Sequence, residues 1–161
     1  MKDIGGQIDT INLIHQKLYL KEGAKVGKIC LSEYLLELTE NIFVSSGIDE
    51  DDYELTQELG KVEVPADKAN SIGLIVNEII TNAIKYGKSQ NNGWIIEMTL
   101  NCIEGEIEIA IKDHGSGIDL APSLNKKTGG LGLVELLSKQ MHANHKVWND
   151  NGTNFILNFK K

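Results

Sequence analysis

Apolar positions along the chain change period near residue 48. Before that point they recur at helical spacing. Ile4, Ile8, Ile11, His15 and Leu18 follow one another at intervals of four, three, four and three, a seam of the coiled-coil kind. Gly23 and Gly27 flank a loop. A second helix is expected to start near Ser32, acting as N-cap, to bury Leu31, Leu35, Leu38 and Ile42, and to close at Gly47. Asp49 to Asp52 then forms a short, solvated acidic turn.

Beyond it the pattern is mixed. Tyr53, Leu55 and Leu59 alternate, and Val62 and Val64 follow Gly60, which predicts strand, turn and strand. Pro65 suits the approach to a long helix whose apolar face is Ile72, Val76, Ile79 and Ala83. Trp94, Ile96, Met98 and Leu100 alternate, as do Ile107, Ile109 and Ile111, with Glu104-Gly105 between them: a β-hairpin. Residues 118–129 are polar and aperiodic. Leu133, Leu136, Leu137 and Met141 mark another helix. Val147-Trp148 and Phe155 to Phe159 flank Asn149-Asp-Asn-Gly152, a second hairpin with an Asn-Gly turn. These elements predict a two-layer α/β sandwich, one antiparallel-rich sheet with helices on one face.

Composition narrows the class. At 161 residues with 41% hydrophobic content, one domain with a short appendage is expected: a helical segment over 1–47 and a folded domain over 48–161. The net charge of −7 argues against nucleic-acid binding as the main activity. No run of about 18 apolar residues predicts a membrane span, and no signal peptide is seen, so the cytoplasm is the expected location. Cys30 and Cys102 lack metal-ligand spacing and read as buried free thiols in a reducing compartment. No internal repeat or low-complexity segment is present.

The candidate chemistry begins on the long helix. Glu78, Asn82 and Lys85 fall at i, i+4 and i+7, on one stripe at the edge of the apolar face. A carboxylate, an amide and an ammonium there suit a metal-bound polyphosphate: oxygen ligands for a hard cation, and a positive charge for the phosphates. A solvated helix flank with a Glu-to-Lys pairing is the alternative. Two glycine clusters follow. The alternating strand ends at Asp113, with Gly115 and Gly117 directly after it; Thr128-Gly-Gly130-Leu-Gly132 opens the next helix. Glycine permits close backbone approach, and a helix N-terminus offers unpaired N–H groups to an anion. Gly87-Lys88-Ser89 imitates the end of a P-loop. Asn82 stands where that motif needs a glycine, and the triplet follows a helix rather than opening one, which excludes it.

Taken in order, these motifs resemble the ATP-binding catalytic domain of sensor histidine kinases, of the Bergerat fold shared with gyrase, mismatch-repair and heat-shock chaperone ATPases. Glu78 to Tyr86 looks like the N box, Asp113-His-Gly115-Ser-Gly117 like the first glycine box, Gly130-Leu-Gly132-Leu133 like the second, and Gly152-Thr153-Asn-Phe155 like the closing G-T-x-F turn. Ile11 to Tyr19, around His15, resembles a stretch that follows the phosphoacceptor helix in one histidine-kinase subfamily. The resemblance implies roles. Asp113 accepts from the adenine amino group, with Thr153 helping at the same end, directly or through water. Tyr86 lies against the adenine ring, and Gly115 and Gly117 let the backbone pass close to base and sugar. Asn82 binds Mg²⁺, Lys85 pairs with a phosphate, and Gly130 and Gly132 cradle the phosphates. Lys126 and Lys127 reach for the γ-phosphate or stay solvated. Glu78 orders metal and water rather than acting as a hydrolytic base.

The chain also departs from the pattern. Thr128 stands where the second glycine box often begins with a further glycine, and no phenylalanine lies between residues 118 and 129. His15 lies on the apolar seam without an acidic neighbour and reads as a packing residue. His114 is expected to be exposed, and His142 and His145 show no metal spacing with either cysteine. The resemblance therefore implies a fragment. It holds the ATP-binding domain and the end of the helical dimerisation domain, while the phosphoacceptor histidine lies upstream. The expected partners are that upstream helical domain, a response-regulator receiver domain and a second copy in a full-length homodimer. The alternatives are a protein-serine kinase of the anti-sigma-factor type and a nucleotide-binding module without phosphotransfer.

Overall fold

The computed structural model describes residues 27–89, 93–120 and 130–161. The first helix expected, over Ile4 to Leu18 with His15, lies outside the described residues, as do Lys126, Lys127 and Thr128. Strand β1 (Lys28–Cys30) runs directly into helix α1 (Leu31–Ser45), and a 3-10 turn (Glu50–Asp52) leads to β2 (Tyr53–Leu59). Strand β3 (Glu63–Pro65) precedes helix α2 (Ala66–Tyr86) and the two-residue β4 (Lys88–Ser89). The hairpin β5 (Gly93–Ile103) and β6 (Glu106–Asp113) follows, then helix α3 (Gly130–Gln140) and the hairpin β7 (Asn144–Asn149) and β8 (Thr153–Lys160).

The main sheet has the order β2-β5-β6-β8-β7, with β4 paired to the start of β5. Among the described residues only β2 and β5 are parallel; every other pairing in this sheet is antiparallel. Its inner face carries Ile96, Met98 and Leu100 of β5, Ile107, Ile109 and Ile111 of β6, and Phe155, Leu157 and Phe159 of β8, all buried. Burying an isoleucine contributes about 1.5–3 kcal/mol, and a one-residue slip would turn all three from β6 outward, so the register is strongly fixed. Asp113 continues the same phase: it follows Ile107, Ile109 and Ile111 at period two and is itself buried. The sheet's inner-face pattern thus delivers one carboxylate to the end of the core.

Both hairpin turns use left-handed backbone where the sequence supplies it. Glu104 and Gly105 adopt φ of 51° and 81°, and Asn151 and Gly152 adopt 51° and 114°. Helix α2 buries Ile72, Val76, Ile79 and Ala83 as expected, and also Ile75 and Ile80, because α1 and α3 pack on its flanks.

Several expectations need correction. The helix α1 begins at Leu31, and Cys30 holds the cap position without a side-chain capping bond; Ser32 lies inside the first turn. The Leu31 N–H instead donates to the Val62 carbonyl at 2.7 Å, so backbone does what a capping side chain would. Gly47 does close α1: at φ +69° its N–H donates to the Val44 carbonyl and that of Ile48 to Phe43, the paired bonds of a Schellman turn. Strands β2 and β3 join different sheets, since β3 pairs with β1. Leu31, Tyr34, Leu35, Leu38 and Phe43 of α1 share the core of the sheet, and the Phe43 ring stacks on Tyr53 of β2 at 4.0 Å. In α3 the buried positions are Val134, Leu137 and Ser138, while Leu136 is 63% exposed. Neither cysteine is fully buried: Cys30 is half-buried against Ser32, and Cys102 is exposed.

Candidate functional site

Three elements converge between the sheet's inner face and α2. A cleft open to solvent is walled by Ile79 and Ala83 of α2, Ile111 of β6, Phe155 of β8 and Ile118, with Asn82, Asp113 and Thr153 as its polar groups. Its walls are apolar and its polar groups few, the lining chemistry of a small-ligand site.

Asp113 is 4% exposed, and its carboxylate is held by backbone. Its Oδ1 accepts from the N–H of Gly115 and from the N–H of Thr153, each at 3.0 Å. A charged acceptor bonded to two amides is fixed in direction, because amides on two separate segments converge on one oxygen. Gly152 permits this approach. At φ +114° it lies so close that a Cβ there would run into the Asp113 carbonyl and come within 2.9 Å of Oδ1. Thr153 is buried as well, and its hydroxyl oxygen has no hydrogen-bond partner among the described residues. Leaving a buried hydroxyl unpaired costs roughly 1–3 kcal/mol, and this one lines the cleft beside Asp113.

The first glycine box packs against the end of α2. A Cβ on Gly115 would meet the backbone of Gly87, and one on Gly117, at φ +82°, would come within 2.7 Å of the Asn149 side chain. The hydroxyl of Ser116 donates to the Tyr86 carbonyl at 3.3 Å. Gly87 caps α2 through its N–H to the Ala83 carbonyl. Lys88 and Ser89 form β4, and the Lys88 ammonium sits 4.9 Å above the Trp94 ring, which accounts for that triplet without a P-loop.

The other end of the site is charged and more open. Glu78 and Asn82 are half-buried on α2. The first residue of α3, Gly130, lies over them: a Cβ there would strike the Glu78 carboxylate and reach 3.7 Å from the Asn82 amide nitrogen. Gly130 and Gly132 both stand in the first turn of α3, whose N–H groups have no intrahelical partner. Lys85, one turn beyond Asn82, is exposed. The stripe of α2 at Glu78 and Asn82 and the start of α3 at Gly130 therefore meet in space.

A family model for the histidine kinase-like ATPase domain matches residues 53–156. This chain belongs to that family. Blue-light-activated histidine kinase 2 of Erythrobacter litoralis strain HTCC2594 is 25% identical over 115 residues, 70% of this chain and 33% of the relative. The anti-sigma F factor of Clostridium botulinum strain Alaska E43 is 27% identical over 66 residues, 41% of this chain and 46% of that protein. The histidine kinase domain from the Erythrobacter litoralis EL346 blue-light activated histidine kinase superposes with a TM-score of 0.82, at 22% identity, over 97% of this chain and 73% of that one. The chain spans about a third of the length of the first of these curated relatives.

Within a histidine kinase-like ATPase domain the donor set has a coherent reading. An amide, a carboxylate and a helix N-terminus lie close together, and oxygen donors of this kind would suit a hard cation. Two expectations sit less comfortably. Tyr86 is 55% exposed and does not line the cleft; the apolar walls there are aliphatic residues and Phe155. His114 is partly covered, with 32% of its side chain exposed, and its Nε2 lies 2.6 Å from a Glu97 carboxylate oxygen. Sequence patterns missed Gly87, Ile118 and Asn149. Gly87 belongs to the triplet that imitates a P-loop, Ile118 lies in an aperiodic run, and Asn149 looks like any turn residue.

Proposed function

We propose that this chain is the ATP-binding catalytic domain of a two-component sensor histidine kinase. It would hold ATP with Mg²⁺ and present the γ-phosphate to a histidine supplied by a helical dimerisation domain. The observation that carries the reading is the buried Asp113 carboxylate, clamped by two backbone amides in an apolar cleft beside the unpartnered Thr153 hydroxyl. An adenine amino group can donate to that carboxylate, whereas guanine offers a carbonyl there and would leave the charge unpaired.

The remaining residues divide the work. Ile79, Ala83, Ile111, Ile118 and Phe155 enclose the base. Gly115 and Gly117 keep the backbone near base and sugar. Asn82, with Glu78 ordering water, would hold the metal, which neutralises phosphate charge when bound. Lys85 would pair with a phosphate, and the first-turn amides of α3, at Gly130 and Gly132, would receive the phosphate oxygens. Phosphoryl transfer needs chiefly positioning and charge neutralisation, and a neutral histidine is a competent nucleophile, so a strong base is dispensable. Residues 1–47 would include the end of the dimerisation domain, and the working protein would be a cytoplasmic homodimer that passes phosphate to a receiver domain. No helix among the described residues is long and apolar enough to cross a membrane.

Labelled ATP tests the proposal. The chain alone should take up little label. Joined to a histidine-bearing helical domain, it should form an acid-labile phosphohistidine and then phosphorylate a receiver aspartate. Strong acid-labile label on His15 of the unextended chain would contradict the assignment of that residue. The similarity to an anti-sigma factor supports a second reading as a serine kinase, but over 41% of this chain only. Acid-stable label on a partner's serine would favour it.

A further inference from the structure

One interaction near the cleft has no part in the roles above. The side-chain amide of Asn149, at the end of β7, bonds the backbone of Ile118 twice. Its Oδ1 accepts from the Ile118 N–H at 3.2 Å, and its Nδ2 donates to the Ile118 carbonyl at 2.8 Å. The pairing copies a step of a β-ladder with a side chain in place of a strand, and it uses an amide's donor and acceptor together. The positive φ of Gly117 turns the chain into this position, and its bare Cα leaves room for the Asn149 head group.

Its location gives it consequence. Ile118 is a wall of the cleft, and the segment from Asp113 to Ile118 is tied at three further points: Gly115 N–H to Asp113 Oδ1, Gly115 packed on Gly87, and Ser116 Oγ to the Tyr86 carbonyl. All three restrain the stretch before Gly117. The Asn149 clamp alone, among the hydrogen bonds of Ile118 described here, holds the residue that closes the cleft. Asn149 also stands on the hairpin that presents Thr153, so one hairpin sets both the polar floor of the cleft and one apolar wall.

We infer that Asn149 is a positioning residue for the base. Through Ile118 it fixes the width of the cleft and so the affinity for the adenosine part of the nucleotide, without touching the ligand. This inference rests on the adenine-nucleotide reading of the cleft. It separates Asn149 from Asn82, whose effect belongs to the metal and phosphates.

Calorimetry of the whole chain with ADP, and with ATP in the presence and absence of Mg²⁺, tests it alongside hydrogen exchange at the Ile118 amide. Asn149→Ala removes both bonds. It should weaken ADP and ATP alike, by about tenfold, the scale of one or two net hydrogen bonds. The ratio of ATP affinities with and without Mg²⁺ should stay constant, and exchange at Ile118 should accelerate. Asn149→Asp keeps the acceptor but turns a second oxygen toward the Ile118 carbonyl, so it should show the same loss; it decides the matter if the alanine variant folds poorly. A purely structural role would lower the melting temperature and leave nucleotide affinity of the folded fraction unchanged, which would overturn the inference. Undiminished ADP binding by both variants would overturn it too. Failure of the unmodified chain to bind any adenine nucleotide would instead overturn the reading of the cleft, and this inference with it.

Discussion

The two ends of the candidate site, one proposed for the base and one for the phosphates, are built on different principles. The base end rests on strands. Asp113 and Thr153 are buried, in register with the core rows of β6 and β8, and aimed by backbone amides and by Gly152. The phosphate end rests on helices. Glu78, Asn82 and Lys85 run from half-buried to exposed along α2, and the turn of α3 that faces them starts at Gly130. A base of one identity calls for a fixed donor and acceptor pattern, which a sheet register supplies. A metal-bound polyphosphate calls for charge and room for water, which half-exposed side chains and a helix N-terminus supply. Damage to the backbone frame of the first end should therefore cost folding and base choice together; damage to the second should cost metal-dependent affinity alone.

The largest expected effect breaks the base end itself. Gly152→Val puts a branched side chain at φ +114° and against the Asp113 carbonyl. It should cost about 3 kcal/mol or more in stability, seen in denaturant melts, and abolish nucleotide binding. A stable variant that still binds would show that the hairpin does not set the carboxylate.

Asp113→Asn is the finer cut. The amide oxygen can still accept from Gly115 and Thr153, so folding should change little, while loss of the charge should weaken adenine nucleotides by about 1.5–3 kcal/mol in calorimetry. At the other end, Asn82→Ala should lower ATP affinity in Mg²⁺ by about tenfold, hurt ADP without Mg²⁺ far less, and leave melting unchanged. If Asn82→Ala destabilised the fold as Gly152→Val does, the contrast between the ends would fail.

The smallest effect sharpens the contrast by touching neither end. Tyr34 of α1 is fully buried against Gly73 with its hydroxyl unpartnered, and burial holds its phenol well above the usual range. Above the ordinary phenol pKa of about 10 the unfolded chain gives up this proton and the folded one keeps it, so stability falls as pH rises from there toward the folded value. Tyr34→Phe should add up to about 1 kcal/mol at neutral pH, remove that alkaline loss, and leave nucleotide affinity unchanged. Melting curves between neutral and alkaline pH check it.

Much of this arrangement is legible in the sequence, for physical reasons that also mark its limits. Period-two alternation through Ile107, Ile109 and Ile111 places Asp113 on the inner face, because phase is conserved along a strand. The stripe of Glu78, Asn82 and Lys85 is legible because α2 is long and one-sided. Strand β1 is not: three residues with one buried side chain carry no period, and its partner β3 is distant in sequence. Ser32 misleads because the Leu31 amide finds the Val62 carbonyl across that small sheet. Cys102 keeps the inward phase of Met98 and Leu100 yet emerges where β5 nears its end, so phase alone does not bury it. Leu136 fits a helical period as well as Leu137 does, and only the packing of α3 on α2 decides between them. The role of Asn149 depends on a contact 31 residues away in sequence, which no local pattern encodes.

The most direct test of the central claim is calorimetry of the unmodified chain with ATP and GTP, both in Mg²⁺, repeated with Asp113→Asn. A carboxylate aimed at an amino group predicts strong preference for ATP in the unmodified chain and a much smaller preference in the variant. Equal affinity for ATP and GTP in the unmodified chain would contradict the account, because the buried, amide-clamped Asp113 would then have no part in reading the base.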